Sequence, residues 1–326
     1  MQTAVIGYPR IGTLRELKFA SEQYFRKEIE AGELLQTAKE LRKTHWLTQK
    51  EAGISFISCN DFSFYDNMLD TAVLFGIVPK RYKELQLSEL DTYFAMARGY
   101  QGDSGDVKAL AMKKWFNTNY HYIVPEVEDE MVIELKGNKL FAEYHEAKEL
   151  GITTKPTVIG AYTLLKLCRY TGTKKMADYV DVVSKPYRNL IVKCETEGID
   201  WLQFDEPALV QDMGQNEIHL FHKLYDEILA ADNKCHVLLQ TYFGDVRDIY
   251  EDLIQMPFAG IGLDFIEGKQ TVSLIKQFGF SQDKLLFAGL VNGKNIWKNH
   301  YEKTLQTMED LPVAKDHIVL STSCSL

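Results

Sequence analysis

The sequence has few cysteines, no long apolar run and no excess of positive charge. Its five cysteines are widely spaced and include no C-x-x-C pair, which is typical of a reduced protein of the cytoplasm. No apolar run approaches the ~20 residues that cross a bilayer, and the run Met1-Gln2-Thr3 does not begin a secretory signal. The formal net charge of −9 disfavours general binding to nucleic acid. We therefore expect a cytoplasmic protein that contacts neither membrane nor nucleic acid.

Metal-binding motifs are also missing. The eight histidines form no H-E-x-x-H motif and no Cys/His cluster with the spacing of a zinc site. His219 and His222 are three residues apart, but they lie on a polar predicted helix, which favours a solvated structural role. We expect this chain to bind no metal.

Strand-like and helix-like segments alternate along most of the chain, which is 326 residues long. There are about ten strand-like runs, including one at 92–97. Strands that alternate with helices predict a mainly parallel sheet. No G-x-G-x-x-G motif follows the first strand, which disfavours a dinucleotide-binding sheet. Residues 1–326 are therefore predicted to form a single (β/α)8 barrel of the TIM type, an α/β fold, with extra N-terminal and loop elements.

Polar side chains follow most of the predicted strands, and in such a barrel these strand ends meet at one face, where active sites are built. The predicted ring of polar side chains comprises Arg10, Asn60, Asp61, Arg98, Asn119, Asp205, Glu206, Thr241, Asp264, Asn292 and Cys324. Asp205, Glu206 and Asp264 are candidates for the paired carboxylates of a glycoside hydrolase. The sequence does not fix their separation, so ordinary hydrogen bonding is an equal alternative.

The run GYPRIGTLRELK at 7–18 joins the first predicted strand to a long amphipathic segment. Thr13 and Glu16 have the spacing of a capping box, which predicts that a helix starts here. Arg15 and Lys18 then lie on one face of the first turns, beside free backbone N–H groups that attract anions. The run predicts a site for a multiply charged anion, with simple solvation of these cations as the alternative.

A second candidate segment is the aromatic and basic run at 113–126. Lys114 and Asn119 could extend the anion site, because a carboxylate-rich ligand binds both cations and amide donors. Core packing with a polar rim is the alternative for this run.

Motifs in a fixed order cover nearly the whole chain: GYPRIG…RELK (7–18), NDFSFYDNMLDTA (60–72), DTYFAMARG (91–99), KKWFNTNYHYIVPE (113–126), WLQFDEPALV (201–210), LQTYFGD (239–245), GLDFIEG (262–268), GLVNGKNIW (289–297) and STSCSL (321–326). In content and order they resemble the N-terminal half of the cobalamin-independent methionine synthases, which are 5-methyltetrahydropteroyltriglutamate–homocysteine methyltransferases. Asn292 and Lys294 stand where the family motif more usually has Asp and Arg.

The resemblance implies an enzyme of two (β/α)8 barrels, with homocysteine and a catalytic zinc in the C-terminal barrel and the methylfolate between the barrels. This chain then corresponds to the N-terminal barrel without its C-terminal zinc barrel, and it carries no catalytic residue of its own. The implied ligand is the tail of 5-methyltetrahydropteroyltri-L-glutamate. The positions that match the family's tail-binding motif are Arg15, Glu16, Leu17, Lys18, Lys114 and Asn119. We expect a monomer whose partner is the C-terminal barrel of the same enzyme.

The two barrels of the family resemble a duplication, which allows the zinc ligands to be aligned with this chain. The aligned positions are Thr241, Phe243, Asp264 and Cys324. Only Cys324 has the ligand type, so the resemblance also implies no zinc here. Two other functions remain open: a stand-alone barrel that binds folate or a partner protein, and the carboxylate-pair hydrolase described above.

Overall fold

The computed structural model describes residues 1–230 and 234–326. Within these ranges, eight parallel strands form one sheet in which each strand pairs with the barrel strand before and after it in sequence. The first strand pairs with the last, and a parallel bridge between Ala4 and Phe56 joins the first strand to the second, so the sheet closes into a barrel. The predicted (β/α)8 fold is confirmed.

The strands of the described residues, in chain order, are β1 (Gln2–Ala4), β2 (Ile57–Cys59), β3 (Tyr100–Gly102), β4 (Gly105–Val107), β5 (Met112–Lys114), β6 (His121–Ile123), β7 (Glu126–Val127), β8 (Thr154–Ile159), β9 (Arg169–Tyr170), β10 (Trp201–Asp205), β11 (His236–Gln240), β12 (Gly260–Asp264), β13 (Leu285–Val291) and β14 (Ile318–Thr322). The barrel consists of β1, β2, β8 and β10 to β14. The other strands form two-stranded pairs outside it.

The α-helices of the same residues are α1 (Glu16–Phe25), α2 (Ala31–Glu51), α3 (Asn67–Leu74), α4 (Lys80–Lys83), α5 (Glu89–Arg98), α6 (Lys139–Glu149), α7 (Ala161–Leu167), α8 (Val180–Thr196), α9 (Gln215–Ile228), α10 (Tyr250–Gln255), α11 (Thr271–Phe278) and α12 (Tyr301–Glu309). In the part of the chain that the structure describes, none of the helices combines the length and the apolar character needed to cross a bilayer.

The apolar core has two main layers. The larger one lies between the barrel strands and the helices around them, and it includes fully buried side chains such as Tyr187 and Phe221. A smaller cluster of Ala4, Leu238, Phe287 and Val319 comes from four different barrel strands and fills the interior. Because this layer is packed, any ligand site must lie above it, at the carboxyl ends of the strands.

One predicted strand is wrong. The run 92–97 lies within helix α5, whose first turn is capped by Ser88, the hydroxyl of which accepts the N–H of Asp91 at 3.1 Å. The run is buried on nearly all sides in a further apolar cluster, separate from those two layers, and this makes a helix resemble a buried strand in sequence. Arg98 therefore ends a helix, with its guanidinium 3.5 Å from the centre of the Phe25 ring, and does not follow a barrel strand.

Candidate functional site at the barrel mouth

An antiparallel hairpin, formed by β5, β6 and the turn between them, lies across the carboxyl-terminal mouth of the barrel. Its Trp115 packs against Ile6, Tyr242 and Cys324. These three residues follow the barrel strands β1, β11 and β14 closely in sequence. The hairpin therefore covers the face at which the strand-end side chains meet.

Asp205, at the end of β10, is buried at this face. Its Oδ1 accepts a hydrogen bond from Nε2 of Gln203 at 2.6 Å, and its Oδ2 accepts one from the Tyr242 hydroxyl at 3.2 Å. Gln203 also accepts a hydrogen bond from Nζ of the buried Lys155. Burial raises the pKa of Asp205 and lowers the pKa of Lys155, while attraction between the two groups offsets part of each shift. The carboxylate thus belongs to a buried chain of polar side chains.

Glu206 points to the start of helix α7 instead. Its carboxylate accepts the backbone N–H groups of Tyr162 at 2.9 Å and Thr163 at 2.7 Å, together with the hydroxyls of Thr163 and Tyr225. The N–H groups of a first helical turn have no partner within the helix, so Glu206 acts as a cap. Burial raises the pKa of Glu206 to about 7.

Asp264, at the end of β12, orders two loops of the mouth. Its Oδ1 accepts the N–H groups of Ile266 at 2.7 Å and Glu267 at 2.9 Å, and its Oδ2 accepts that of Phe243 at 2.9 Å. Burial raises the pKa of Asp264 above its ordinary value. Of the three carboxylates considered for a hydrolase, two therefore serve backbone amides and the third lies in a buried chain. This geometry does not favour the hydrolase.

The positions aligned with zinc ligands do not fit a metal. The Thr241 hydroxyl donates to the carbonyl of Gly262 at 2.8 Å, and the Asp264 carboxylate already accepts three N–H groups. Burial raises the pKa of the Cys324 thiol to about 11, which disfavours the thiolate that binds zinc. Across residues 1–230 and 234–326, no group of three or more His, Cys, Asp or Glu side chains is arranged to hold a metal ion.

The run after β1 leaves the barrel at the same mouth. Asp61 ties it to the end of β2, because its Oδ2 accepts the N–H of Tyr8 at 2.7 Å and the hydroxyl of Ser58 at 2.6 Å. Arg10 donates from its guanidinium to the carbonyl of Ser63 at 2.8 Å. Arg10 therefore has a structural partner within the protein.

The helix predicted to begin with a Thr13 capping box begins at Glu16. Arg15 is the residue before its first turn, has a left-handed backbone (φ 65°) and makes no side-chain cap hydrogen bond. The Glu16 carboxylate accepts the N–H of Leu14 at 3.0 Å. Gly12 is required nearby, since its φ is +82° and a Cβ there would lie 2.1 Å from Oε2 of Glu16. The capping-box prediction fails because this glycine turn carries the chain past Thr13 before the helix starts.

The four predicted tail-binding residues of this run differ in exposure. Arg15 and Lys18 are exposed, and Glu16 is half-buried. The Leu17 side chain is fully buried in a cluster with Leu41 and Phe62, so only its backbone could meet a ligand.

The other two predicted residues lie on the hairpin. Lys114 pairs with His121 at the end of β5, and Asn119 lies in the turn that follows. Both side chains are exposed. The structure thus places the run and the hairpin at the same face of the barrel, and among the described residues no hydrogen bond or ion pair joins these two groups.

Three residues that hold the hairpin were not identified from the sequence. Asn117 donates from Nδ2 to Oε2 of Glu267 at 2.6 Å, and Lys294 donates from Nζ to Oδ1 of Asn117 at 2.8 Å. The partners are 150 and 177 residues apart in sequence, so no local pattern could have indicated them.

The closed sheet and its covered mouth place the chain among the (β/α)8 barrel proteins. Residues 2–315 match the family described as the N-terminal domain of cobalamin-independent synthase. The chain belongs to this family, as the sequence motifs indicated.

Curated relatives agree with this assignment. A 5-methyltetrahydropteroyltriglutamate–homocysteine methyltransferase of Streptococcus gordonii is 55% identical over 326 residues, which are all of this chain and 43% of the relative. The enzyme of the same name from Campylobacter jejuni is 53% identical, again over 43% of its length. The chain thus spans less than half the length of these relatives.

Solved structures show the same fold. A structure from Listeria monocytogenes has a TM-score of 0.71 at 15% identity and covers 100% of this chain and 91% of its own. A B12-independent methionine synthase from Shewanella has a TM-score of 0.67 at 14% identity, covering 91% of this chain and 83% of its own. At these identities the likeness concerns the fold alone.

Proposed function

We propose that this chain is the N-terminal barrel of a methyltransferase that transfers a methyl group from 5-methyltetrahydropteroyltri-L-glutamate to homocysteine, and that it binds the triglutamate tail. The relatives that carry this name extend well beyond the matched part, so the remainder of the enzyme would include the C-terminal barrel. The observation that carries the proposal is the start of α1, where exposed cations meet unpaired backbone donors.

The backbone supplies the first part of this anion site. Within the described residues, the N–H groups of Glu16 and Lys18 donate to no other group, whereas that of Leu17 donates to the carbonyl of Ile11 at 3.3 Å. The Glu16 carboxylate is turned back to Leu14. Free N–H groups at a helix N-terminus carry partial positive charge and bind carboxylates.

Two cationic side chains supply the second part. The Arg15 side chain is exposed and makes no hydrogen bond or ion pair within the described residues. Lys18 has Nζ 3.7 Å from Glu22, in a pair whose side chains are 46% and 44% exposed. Exposed pairs of this kind contribute about 0–1 kcal/mol, so Lys18 can exchange this partner for a ligand carboxylate.

The hairpin supplies the third part. Lys114 offers a further cation and Asn119 an amide donor, both on exposed positions at the same face. A polyglutamate tail carries several carboxylates in a row, so it can engage the helix start and the hairpin at once.

The chemistry would belong to the rest of the enzyme. In this proposal homocysteine and zinc are held by the C-terminal barrel, where zinc would favour the homocysteine thiolate. This chain supplies affinity for the tail and no catalytic residue, so alone it would be inactive. We place the protein in the cytoplasm, in keeping with its five free cysteines, and we propose that it is a monomer.

The test compares triglutamyl and monoglutamyl methyltetrahydrofolate by calorimetric titration. The wild type should bind the triglutamyl form more tightly. Lys18→Ala should lower the affinity for the triglutamyl form about tenfold or more, because a charge-assisted hydrogen bond contributes about 1.5–3 kcal/mol. Binding of the monoglutamyl form should hardly change.

A matched control is Lys276→Ala, which removes an exposed lysine from the last turn of α11. It should leave both affinities unchanged and thereby exclude a general effect of net charge. Equal binding of the two folates by the wild type would contradict the proposed function.

A further inference from the structure

Three side chains from distant segments meet at the tip of the hairpin and form what we call the latch: Asn117, Glu267 and Lys294. Glu267 follows β12 and Lys294 follows β13, whereas Asn117 lies in the hairpin turn. Nζ of Lys294 lies 2.6 Å from Oε1 of Glu267, and both side chains also bind the Asn117 amide. Each member thus contacts both of the others.

The ion pair of the latch is partly buried. The Lys294 and Glu267 side chains are only 28% and 27% exposed. Nζ of Lys294 also lies 5.0 Å from the centre of the Phe243 ring, which adds a cation–π contact. The Phe243 ring in turn lies 5.9 Å from that of Phe116, the residue before Asn117.

The backbone around the latch is held in unusual conformations. Phe116 and Phe243 both have a left-handed backbone, with φ of 49° and 75°. Such conformations are uncommon for aromatic residues and persist where the surroundings enforce them, often at functional sites. On the barrel side the Asp264 carboxylate holds this backbone in place, since it accepts the N–H groups of both Phe243 and Glu267 at 2.9 Å.

We propose that Glu267 and Lys294 are positioning residues that fix the hairpin turn through Asn117 and thereby hold Lys114 and Asn119 in place for the triglutamate tail. This inference rests on the proposed function. Asn117 is three residues after Lys114 and two before Asn119, so a turn held at Asn117 constrains both. Without the latch the two ligand-binding side chains would sample many positions, and part of the binding free energy would be lost in ordering them.

The first test uses Glu267→Gln and Lys294→Met, which remove the ion pair with little change in size. Hydrogen exchange of residues 113–122, followed by mass spectrometry, should be faster in both variants. The ratio of triglutamyl to monoglutamyl affinity should fall about fivefold, with a melting temperature close to that of the wild type. Glu251→Gln, at an exposed position of α10, is the control and should change neither readout.

The charge-swapped double variant, Glu267→Lys with Lys294→Glu, gives a sharper test. The Asn117 amide has a donor and an acceptor and can turn over to bind the exchanged pair, so slow exchange and the affinity ratio should be restored in part. A merely structural loss of side-chain volume would not be rescued in this way.

The outcomes separate the inference from the proposed function. Unchanged exchange and an unchanged affinity ratio in the single variants would overturn the latch. If a variant at Glu267 or Lys294 fails to fold, hydrogen exchange and the affinity ratio can be measured instead on Asn117→Ala, which changes the exposed turn. A wild type that does not discriminate between the two folates would overturn the proposed function. If hydrogen exchange is then still faster in the single variants, the latch holds the hairpin but has no role in tail binding.

Discussion

The carboxylate of Glu206 caps helix α7 by accepting the backbone N–H of Thr163 at 2.7 Å and its hydroxyl at 2.6 Å. Glu206 is the first residue after β10, and its side chain is fully buried. A carboxylate at a strand end of a barrel is thus used here to hold a neighbouring helix.

Replacing this cap should destabilise the protein. Glu206→Ala leaves the N–H groups of Tyr162 and Thr163 buried without an acceptor, so we expect the free energy of unfolding to fall by about 2–5 kcal/mol. Urea unfolding measures the change. Glu251→Ala, at an exposed position, should stay within about 0.5 kcal/mol of the wild type. Equal stability of the two variants would show that Glu206 does not cap α7.

The same residue should make stability depend on pH. Burial raises the pKa of Glu206 from 4.5 to about 7, so the folded state binds its proton more tightly than the unfolded state. Protonation of Glu206 therefore stabilises the folded state. This contribution to the free energy of unfolding is complete below pH 4.5 and is lost as the pH rises through about 7.

The non-titrating variant Glu206→Gln isolates this contribution. Between these pH values the free energy of unfolding of the wild type should fall relative to the variant, by up to about 1.4 kcal/mol per pH unit. Urea unfolding of both proteins over the range provides the measurement. Parallel pH profiles would contradict the shifted pKa.

Asp66 should anchor the hairpin from its other end. Its Oδ1 accepts the N–H of Leu69 and caps α3, while its Oδ2 accepts the N–H of Ile123 in β6, both at 2.9 Å. Asp66→Ala should lower the free energy of unfolding by about 2–3 kcal/mol and speed hydrogen exchange at Ile123. Ser88→Ala removes the cap of α5 alone and should leave exchange at Ile123 unchanged. If hydrogen exchange at Ile123 is equally fast in both variants, Asp66 does not anchor the hairpin.

Removal of metal should have no effect on this chain. Thr241 and Asp264 use their oxygens in hydrogen bonds within the protein, and burial keeps Cys324 protonated. Dialysis against a chelator should leave the melting temperature unchanged, and elemental analysis of the purified chain should find far less than one zinc per chain. Stoichiometric zinc, lost together with stability on dialysis, would refute this expectation.

Some features of this protein follow from local sequence patterns, whereas others depend on contacts between distant segments. The alternation of strands and helices predicted the barrel correctly, because the hydrophobic periodicity of a strand or helix can be recognised within about ten consecutive residues. The run 92–97 has the sequence pattern of a strand but forms a helix, because burial on nearly all sides removes the helical period. The start of α1 differs from the capping-box prediction because the chain turns at Gly12, where a Cβ would collide with Glu16 and Leu41, and a capping pattern does not contain this constraint.

The sequence by itself determined the barrel, the family and the candidate tail-binding residues, since these depend on periodicity and on motifs that are continuous in the chain. Only the tertiary structure decided how the strand-end carboxylates are used. Glu206 and Asp264 have the same sequence context, a strand end in a barrel, yet one caps a helix and the other orders two loops. The latch between Asn117, Glu267 and Lys294 was decided in the same way, because its hydrogen bonds form only once folding brings segments 150 or more residues apart together.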